Sequence, residues 1–244
     1  PDTPNLYRLR TSVYLNGKLC DAVVSRIGIR SIEFRGADGL YINGKPFGDK
    51  LMGVNRHQDY AYIGNAVPNN LHWLDVKKMR DAGFRIIRSA HYPQDPAFMD
   101  ACDELGMFII VATPGWQYWN PEPVFEERIL SDIRNMVRRD RNHPSVLLWE
   151  PVLNETAFPE SFAQNAYRAT HEEYPAPGCY AAIDDKSKGA MGYDVVYTAP
   201  KNEAFYRNAG KSCFTREYGD CVDDWNSHNS YSRVAREWGE EPQI

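Results

Sequence analysis

The sequence predicts an α/β chain folded as a (β/α)8 barrel, and three observations carry that reading. From residue 50 onward, short apolar runs alternate with segments of helical period over about 190 residues, which makes a parallel sheet. No G-x-G-x-x-G follows the first of these runs, so a doubly wound dinucleotide fold loses its main support. Most of the runs also end in polar residues of chemical use, and a barrel gathers all such ends at one mouth.

The elements follow in order. Tyr7, Leu9, Val13 and Leu15 alternate as a half-buried strand does. Asn16-Gly17 then signals a tight hairpin, and "LCDAVVSRIGI" returns. A second turn signal, Asn43-Gly44, separates "LYI" from "KPF". The parallel strands are expected at 51–57, 84–91, 107–113, 146–149, 179–184, 194–198 and 213–218. A helix is expected at 69–82, closed by Gly83, and a second between the N-cap Asp95 with Pro96 and the C-terminal Gly106. Phe125, Ile129, Ile133, Met136 and Val137 mark one stripe of a third. Seven strands rather than eight leave the barrel one short, so the last strand is expected to be missing from this chain. The first 45 or so residues are antiparallel β, too few for a stable sheet domain alone; the expected division is residues 1–35 and, as the barrel, 36–244.

Composition sets outer bounds. A chain of 244 residues with 43% hydrophobic and 25% charged residues can build a large core. The net charge of −5 comes without a basic stripe, which argues against nucleic acid as a partner. No apolar run approaches the roughly 18 residues of a membrane span. Five cysteines, odd in number and without C-x-x-C, read as free thiols. The 15 Tyr, 10 Phe and 6 Trp exceed what a core alone needs and suit a site that stacks sugar rings. Oligomeric state and compartment are not legible.

The chemistry lies in the strand ends. "VLLWEPVLNE" is a buried-looking strand that closes on Asn154 and Glu155, and "CFTREYGD" closes on Glu217, 62 residues later. Carboxylates from the fourth and seventh strands of one barrel face each other across the mouth, as the acid and the nucleophile of a glycosidase do. A rival site, a metal held by His57, Asp59, His91 and Asp184, lacks the H-x-H pattern of metal-dependent amidohydrolase barrels.

Longer motifs go further. The stretches "LYINGKPFGDKLMGVNRHQD", "MRDAGFRIIRSAHYPQDPAFMDACDELGMFII", "RDRNHPSVLLWEPVLNE" and "TREYGD" resemble glycoside hydrolase family two, the β-galactosidase, β-glucuronidase and β-mannosidase group. The resemblance covers roughly residues 30–220, and "DDWNSHNSYSRVAREWGE" is closest to β-galactosidase-like members. It implies that the first 35 residues end an immunoglobulin-like sandwich. It further implies a retaining hydrolase of terminal β-glycosides, with β-galactosides first and β-glucuronides as the alternative. A non-catalytic carbohydrate-binding fragment is the other alternative.

By position, Glu155 is implied as the acid/base and Glu217 as the nucleophile, with Arg216, Tyr218 or Tyr197 able to bond the latter. Asn154, His91, Tyr197, Arg56, His57, Trp116, Trp119 and Trp225 are the expected sugar contacts. No organic cofactor and no tightly bound metal are expected, although Glu150 offers a hard oxygen ligand for magnesium. One departure stands out: Trp149 and Glu155 are six residues apart where the family has five, and Glu150 lies inside the longer spacing.

Overall fold

The computed structural model describes residues 2–48, 50–198 and 202–217. Strands β1 (Leu6–Leu15) and β2 (Lys18–Gly28) form an antiparallel hairpin. Its turn is the expected one, with Asn16 and Gly17 both at positive φ. At the base of the hairpin Gly28 lies so close to the Pro144 ring that a Cβ would come within 2.6 Å of it. Three short strands follow as a meander: β3 (Ile32–Phe34), β4 (Leu40–Ile42) and β5 (Lys45–Pro46). β3 pairs with β4 across residue 35, where the boundary was expected.

Seven parallel strands then appear among the described residues, each overlapping an expected place. β6 (Gly53–Arg56), β7 (Ile86–Ser89), β8 (Phe108–Ala112) and β9 (Val146–Glu150) form one ladder in chain order. β10 (Ala182–Asp184), β11 (Val195–Tyr197) and β12 (Ser212–Phe214) form a second. The two ladders meet where Trp149 bridges Ala181 in parallel and its N–H donates to the Tyr180 carbonyl at 2.9 Å.

The helices pack outside. α1 (Asn69–Asp81), α2 (Pro96–Leu105) and α3 (Pro123–Asp140) connect the first four parallel strands. The Asp95 carboxylate caps α2 by accepting the Ala97 N–H at 2.8 Å, and Gly106 closes it at φ 67°. α4 (Glu160–Glu173) leads into β10 and was not legible beforehand. Only a short 3-10 turn, Ala190–Gly192, links β10 to β11, and α5 (Glu203–Asn208) links β11 to β12.

Strand alternation sorts the core into layers. Ile87, Ile109, Val111 and Trp149 face α1–α3 together with Val76, Phe98, Met99 and Val137. Ile86, Phe108, Ile110, Leu148, Ala182, Val195 and Tyr197 fill the interior side of the sheet, where Ile32, Phe34, Leu40 and Phe47 of the meander segment pack against them. A third cluster joins α3, α4 and β10.

Candidate active site

Successive loops at the C-terminal ends of the strands are laced together by backbone bonds. The Gly115 N–H reaches the His91 carbonyl at 3.3 Å, and the Gln117 N–H reaches the Asn154 carbonyl at 3.0 Å. The Tyr92 hydroxyl accepts the Gln58 N–H at 2.9 Å, and the Gln58 side chain accepts the Asp95 N–H at 2.8 Å. The loops after β6, β7, β8 and β9 therefore hold one another, and they bring His57, His91, Trp116 and Asn154-Glu155 to one mouth.

An aromatic wall stands on one side. The ring centroids of His57 and His91, and of His91 and Trp116, lie 5.6 Å apart, and those of His57 and Trp116 6.5 Å. Trp116 is exposed, so it presents a free ring to the mouth. His91 is driven down to about 4, first by burial and then by the neighbouring Arg88 charge, so its imidazole is neutral at ordinary pH. Its Nε2 lies 3.4 Å from the Asn154 amide nitrogen.

Arg88, on the interior face of β7, is the electrostatic centre. It is 3% exposed. Its Nε donates to Glu150 Oε2 at 2.7 Å and its Nη2 to Glu150 Oε1, a two-pronged grip. Nη1 donates to Glu217 Oε1 at 2.7 Å, and Nη2 also reaches Asn154 Oδ1 at 3.2 Å. Burial works against the Arg88 charge, but Glu150 outweighs it and holds the guanidinium above its ordinary value. Burial likewise pushes the Glu150 carboxyl up, yet Arg88, Arg216 and His91 pull it further down, to a net value below the usual range. Arg216 donates to Asn154 Oδ1 and pairs with Asp184 at 2.7 Å.

The two candidate carboxylates differ in setting. Glu155 is exposed, with Gln117 Nε2 donating to its Oε2 at 2.7 Å. Its φ of 48° is one that few side chains other than glycine adopt, and such outliers cluster at functional sites. The Glu217 side chain is 31% exposed and anchored by Arg88. A cavity of about 1220 Å³ opens beside it, lined among others by Asp184, Tyr197, Thr198, Arg216, Phe34 and Leu51.

Several expectations need correction. Arg56 sits behind the sheet, bonded to Asp75 at 2.8 Å and to Gln94, with its Nη2 3.2 Å from His72 Nδ1. In the ladder Arg56 pairs with Ser89, and Asn55 pairs with Arg88. Alternation therefore sends Arg56 toward the helices and Arg88 into the barrel, away from each other. Trp119 packs between Phe125 and Phe162, with centroids 5.4 and 4.8 Å away, and belongs to the layer between helices. Tyr197 is buried, and its hydroxyl donates to Glu150 at 3.2 Å rather than to Glu217. Both oxygens of Glu150, the candidate magnesium ligand, are bonded, by Arg88 and Tyr197.

Trp225 and Tyr218 lie outside the described residues. Among the described residues the one grouping of three metal-type side chains is Asp100, Asp103 and His143, not the His57, Asp59, His91 and Asp184 of the rival reading. There Asp103 is bonded to His143 at 2.6 Å and Asp100 to Arg26 at 2.6 Å. Arg88 and Gln117 were missed from the sequence. The only signal for Arg88 was its place three residues before the end of the expected strand 84–91, and Gln117 carried none.

Comparison with known proteins places this arrangement. A β-galactosidase of Thermoanaerobacterium thermosulfurigenes is 36% identical over 176 residues, covering 71% of this chain and 24% of that protein. A putative β-glucuronidase of Formosa agariphila is 34% identical over 146 residues, covering 60% and 18%. The chain thus spans about a quarter or less of these relatives' length. The crystal structure of a β-glycosidase from Bacteroides vulgatus superposes with a TM-score of 0.71 at 28% identity, over 87% of this chain and 28% of that one. The model for the TIM barrel domain of glycosyl hydrolases family 2 matches residues 32–176, more than half of the sequence, and the chain belongs to that family.

Proposed function

We propose that the protein hydrolyses terminal β-glycosides with retention of configuration, β-galactosides first, with Glu155 as acid/base and Glu217 as nucleophile. The observation that carries this reading is the link Arg88 makes between Glu217 and the residue beside Glu155. Arg88 bonds Glu217 directly, and it bonds Asn154, the residue next to Glu155. Retaining catalysis needs two carboxyl groups about 5–5.5 Å apart on either side of the glycosidic bond, and the Arg88 bonds tie together the two segments that carry them.

Each group has its task. Glu217, ionised beside Arg88, attacks the anomeric carbon and forms a glycosyl-enzyme. Glu155 gives its proton to the departing oxygen. Gln117 orients that carboxyl through Oε2, which leaves Oε1 to carry the proton. Once the glycosyl-enzyme has formed, Glu155 takes a proton from water, which releases the sugar. Asn154, His91, His57 and Trp116 line the sugar subsite. No organic cofactor or tightly held metal enters this scheme, and dialysis against a chelator should leave turnover unchanged.

A neutral sugar fits better than a glucuronide. The two arginines at the mouth are already matched, Arg88 by Glu150 and Glu217, and Arg216 by Asp184. The curated β-galactosidase relative favours the same choice. Relative kcat/KM on nitrophenyl β-galactoside and β-glucuronide tests it, and a preference for the glucuronide would reverse it.

The roles are tested by azide. Glu217→Gly should lose turnover on every leaving group and regain it with azide, giving the inverted α-glycosyl azide. Glu155→Ala should keep the glycosylation step, read as kcat/KM, on a dinitrophenyl glycoside far better than on an alkyl glycoside, which loses about 10²–10⁴-fold, while deglycosylation loses its base with both. Azide should rescue this variant with retention. The same anomer from both variants would mean the roles are wrong.

We also propose that the β1–β2 hairpin is the end of an immunoglobulin-like sandwich. Tyr7, Leu9, Val13 and Val23 are all more than half exposed on the hairpin, and a two-stranded ribbon is marginal alone. With a sheet packed on that surface, Leu9→Asp and Val13→Asp each forfeit the roughly 1.5–3 kcal/mol of a buried side chain. If the surface faces only water, they cost nothing.

A further inference from the structure

We propose that Glu150 is a positioning residue for the reaction, a buried counter-charge that shares Arg88 with Glu217 and so sets how tightly the nucleophile is held. This rests on the reading of Glu217 and Glu155 given above. The guanidinium offers five N–H donors in one planar fork. Glu150 takes the Nε and Nη2 side, and Glu217 takes Nη1. Glu150 is 2% exposed and Arg88 3%, against 31% for Glu217. The buried partner therefore neutralises the arginine from behind, and Glu217 meets a donor belonging to an ion pair rather than an unmatched cation. Tyr197 adds to the division, because its hydroxyl donates to Glu150 and not to Glu217.

The chemistry explains why this division matters. A carboxylate nucleophile must attack the anomeric carbon and later leave it. Held by an uncompensated buried cation it would be a weak nucleophile, since its charge would be stabilised most in the ground state. The groups that face Glu150 are Arg88 from β7, Tyr197 from β11, Arg216 after β12 and His91 after β7. Glu217 is on the far side of Arg88, and Asp184 at the end of β10 holds Arg216. Glu155 is the remaining carboxyl at the mouth. Of these, Glu150 is the buried negative charge that shares Arg88 with Glu217. It sits inside the one-residue-longer stretch between Trp149 and Glu155, which neither the nucleophile nor the acid/base requires.

The test is the pH dependence of kcat/KM for a chromogenic β-glycoside with the full-length protein. Wild type should give a bell. In Glu150→Gln the removal of a negative charge eases ionisation of both reacting carboxyls, so both limbs should move to lower pH. A charge about 7 Å away at an effective dielectric near 20 moves a carboxyl by up to about 1.5–2 units. Glu150→Asp, which keeps the charge, should hold both limbs at their wild-type positions. Should Glu150→Gln fail to fold, Glu150→Ala prepared in formate is the second variant. Formate restores a charge to the vacated volume and should return the limbs toward wild type, whereas formamide should not. A bell that falls in height with neither limb displaced, or that ignores formate, overturns the role of Glu150 and leaves Glu155 and Glu217 intact. An inactive wild type instead overturns the glycosidase reading itself.

Discussion

Arg56 and Arg88 are buried arginines near the C-terminal ends of adjacent parallel strands, and both are paired with carboxylates. They belong to different regions. Arg56 lies behind the sheet, its guanidinium over the Phe98 ring at 4.3 Å and its charge met by Asp75 from α1. Arg88 lies inside the barrel and joins β7 to the ends of β9 and β12 through Glu150 and Glu217. What separates scaffold from site here is the face of the strand, not burial or charge. The comparison can be broken at each arginine in turn.

The largest effect is expected at Arg88. Arg88→Met leaves Glu150 ionised, buried and unpaired, which costs about 3–5 kcal/mol of stability. It also frees Glu217, so kcat/KM should collapse beyond what unfolding explains. The pH dependence carries a sign. In the wild type the Glu150 value is depressed, so its contribution is present above the ordinary carboxylate range and is lost as pH falls below it. In the variant the pull of Arg88 is gone and burial, the largest of the remaining influences, raises that value against what Arg216 still supplies, so stability falls as pH rises. Melting temperature measured at pH 5 and at pH 8 should therefore show the larger loss at pH 8.

Arg56→Met should cost less, about 1–3 kcal/mol, because Asp75 remains 22% exposed and can be hydrated once unpaired. Its kcat/KM at a temperature where the fold is intact should stay within about twofold of wild type. A tenfold rise in KM would return Arg56 to the substrate site and dissolve the contrast.

This contrast marks the limit of what the sequence discloses. All seven parallel strands were legible, because their apolar runs are short and bounded by turn residues. Glu155 and Glu217 read as strand ends in the sequence, and they lie in the loops just past β9 and β12. Which side a strand-end residue faces was not, since it depends on a register that the chain fixes only against its neighbours; Asn55 opposite Arg88 and Arg56 opposite Ser89 decide it. α4 was missed because its buried stripe is built largely of Ala163, Ala166 and Ala169, small residues with a weak periodic signal beside Phe162. Glu150 was visible as an extra carboxylate, but its pairing partner lies 62 residues away.

Two tryptophans make the same comparison at smaller scale. Trp116→Leu removes a ring exposed at the mouth, worth about 0.5–1.5 kcal/mol of stacking, and should raise KM by about 3–10-fold with little change in melting temperature. Trp119→Leu removes a ring packed on Phe125 and Phe162, so it should lower the melting temperature and leave KM alone. Exchange of these two outcomes would put the sugar subsite on the wrong side of the loop.

The smallest expected effect is a pair of titrations, in which His91 and His143 differ as the two arginines do. His91, at the mouth, is driven to about 4 by burial and by Arg88, with no carboxylate bonded to its ring. His143, at the opposite end of the sheet, also suffers burial, but its Nδ1 lies 2.6 Å from Asp103, and that partner raises its value above the ordinary one. The signs for stability are opposite in origin. His91 is neutral in the fold while an unfolded chain would take up a proton below about 6.5, so stability is lost as pH falls from there toward 4. His143 is favoured as the cation, so its contribution is complete below about 6.5 and is lost as pH rises through the raised folded value. Resolved imidazole resonances followed by NMR should therefore show His91 unchanged from pH 8 down to about 5 and His143 titrating above 6.5. Activity between pH 5 and 8 should then owe none of its shape to His91. A His91 midpoint near 6.5 would mean that the mouth does not exclude charge there, and that the Arg88 cluster exerts less field on its neighbours than its geometry requires.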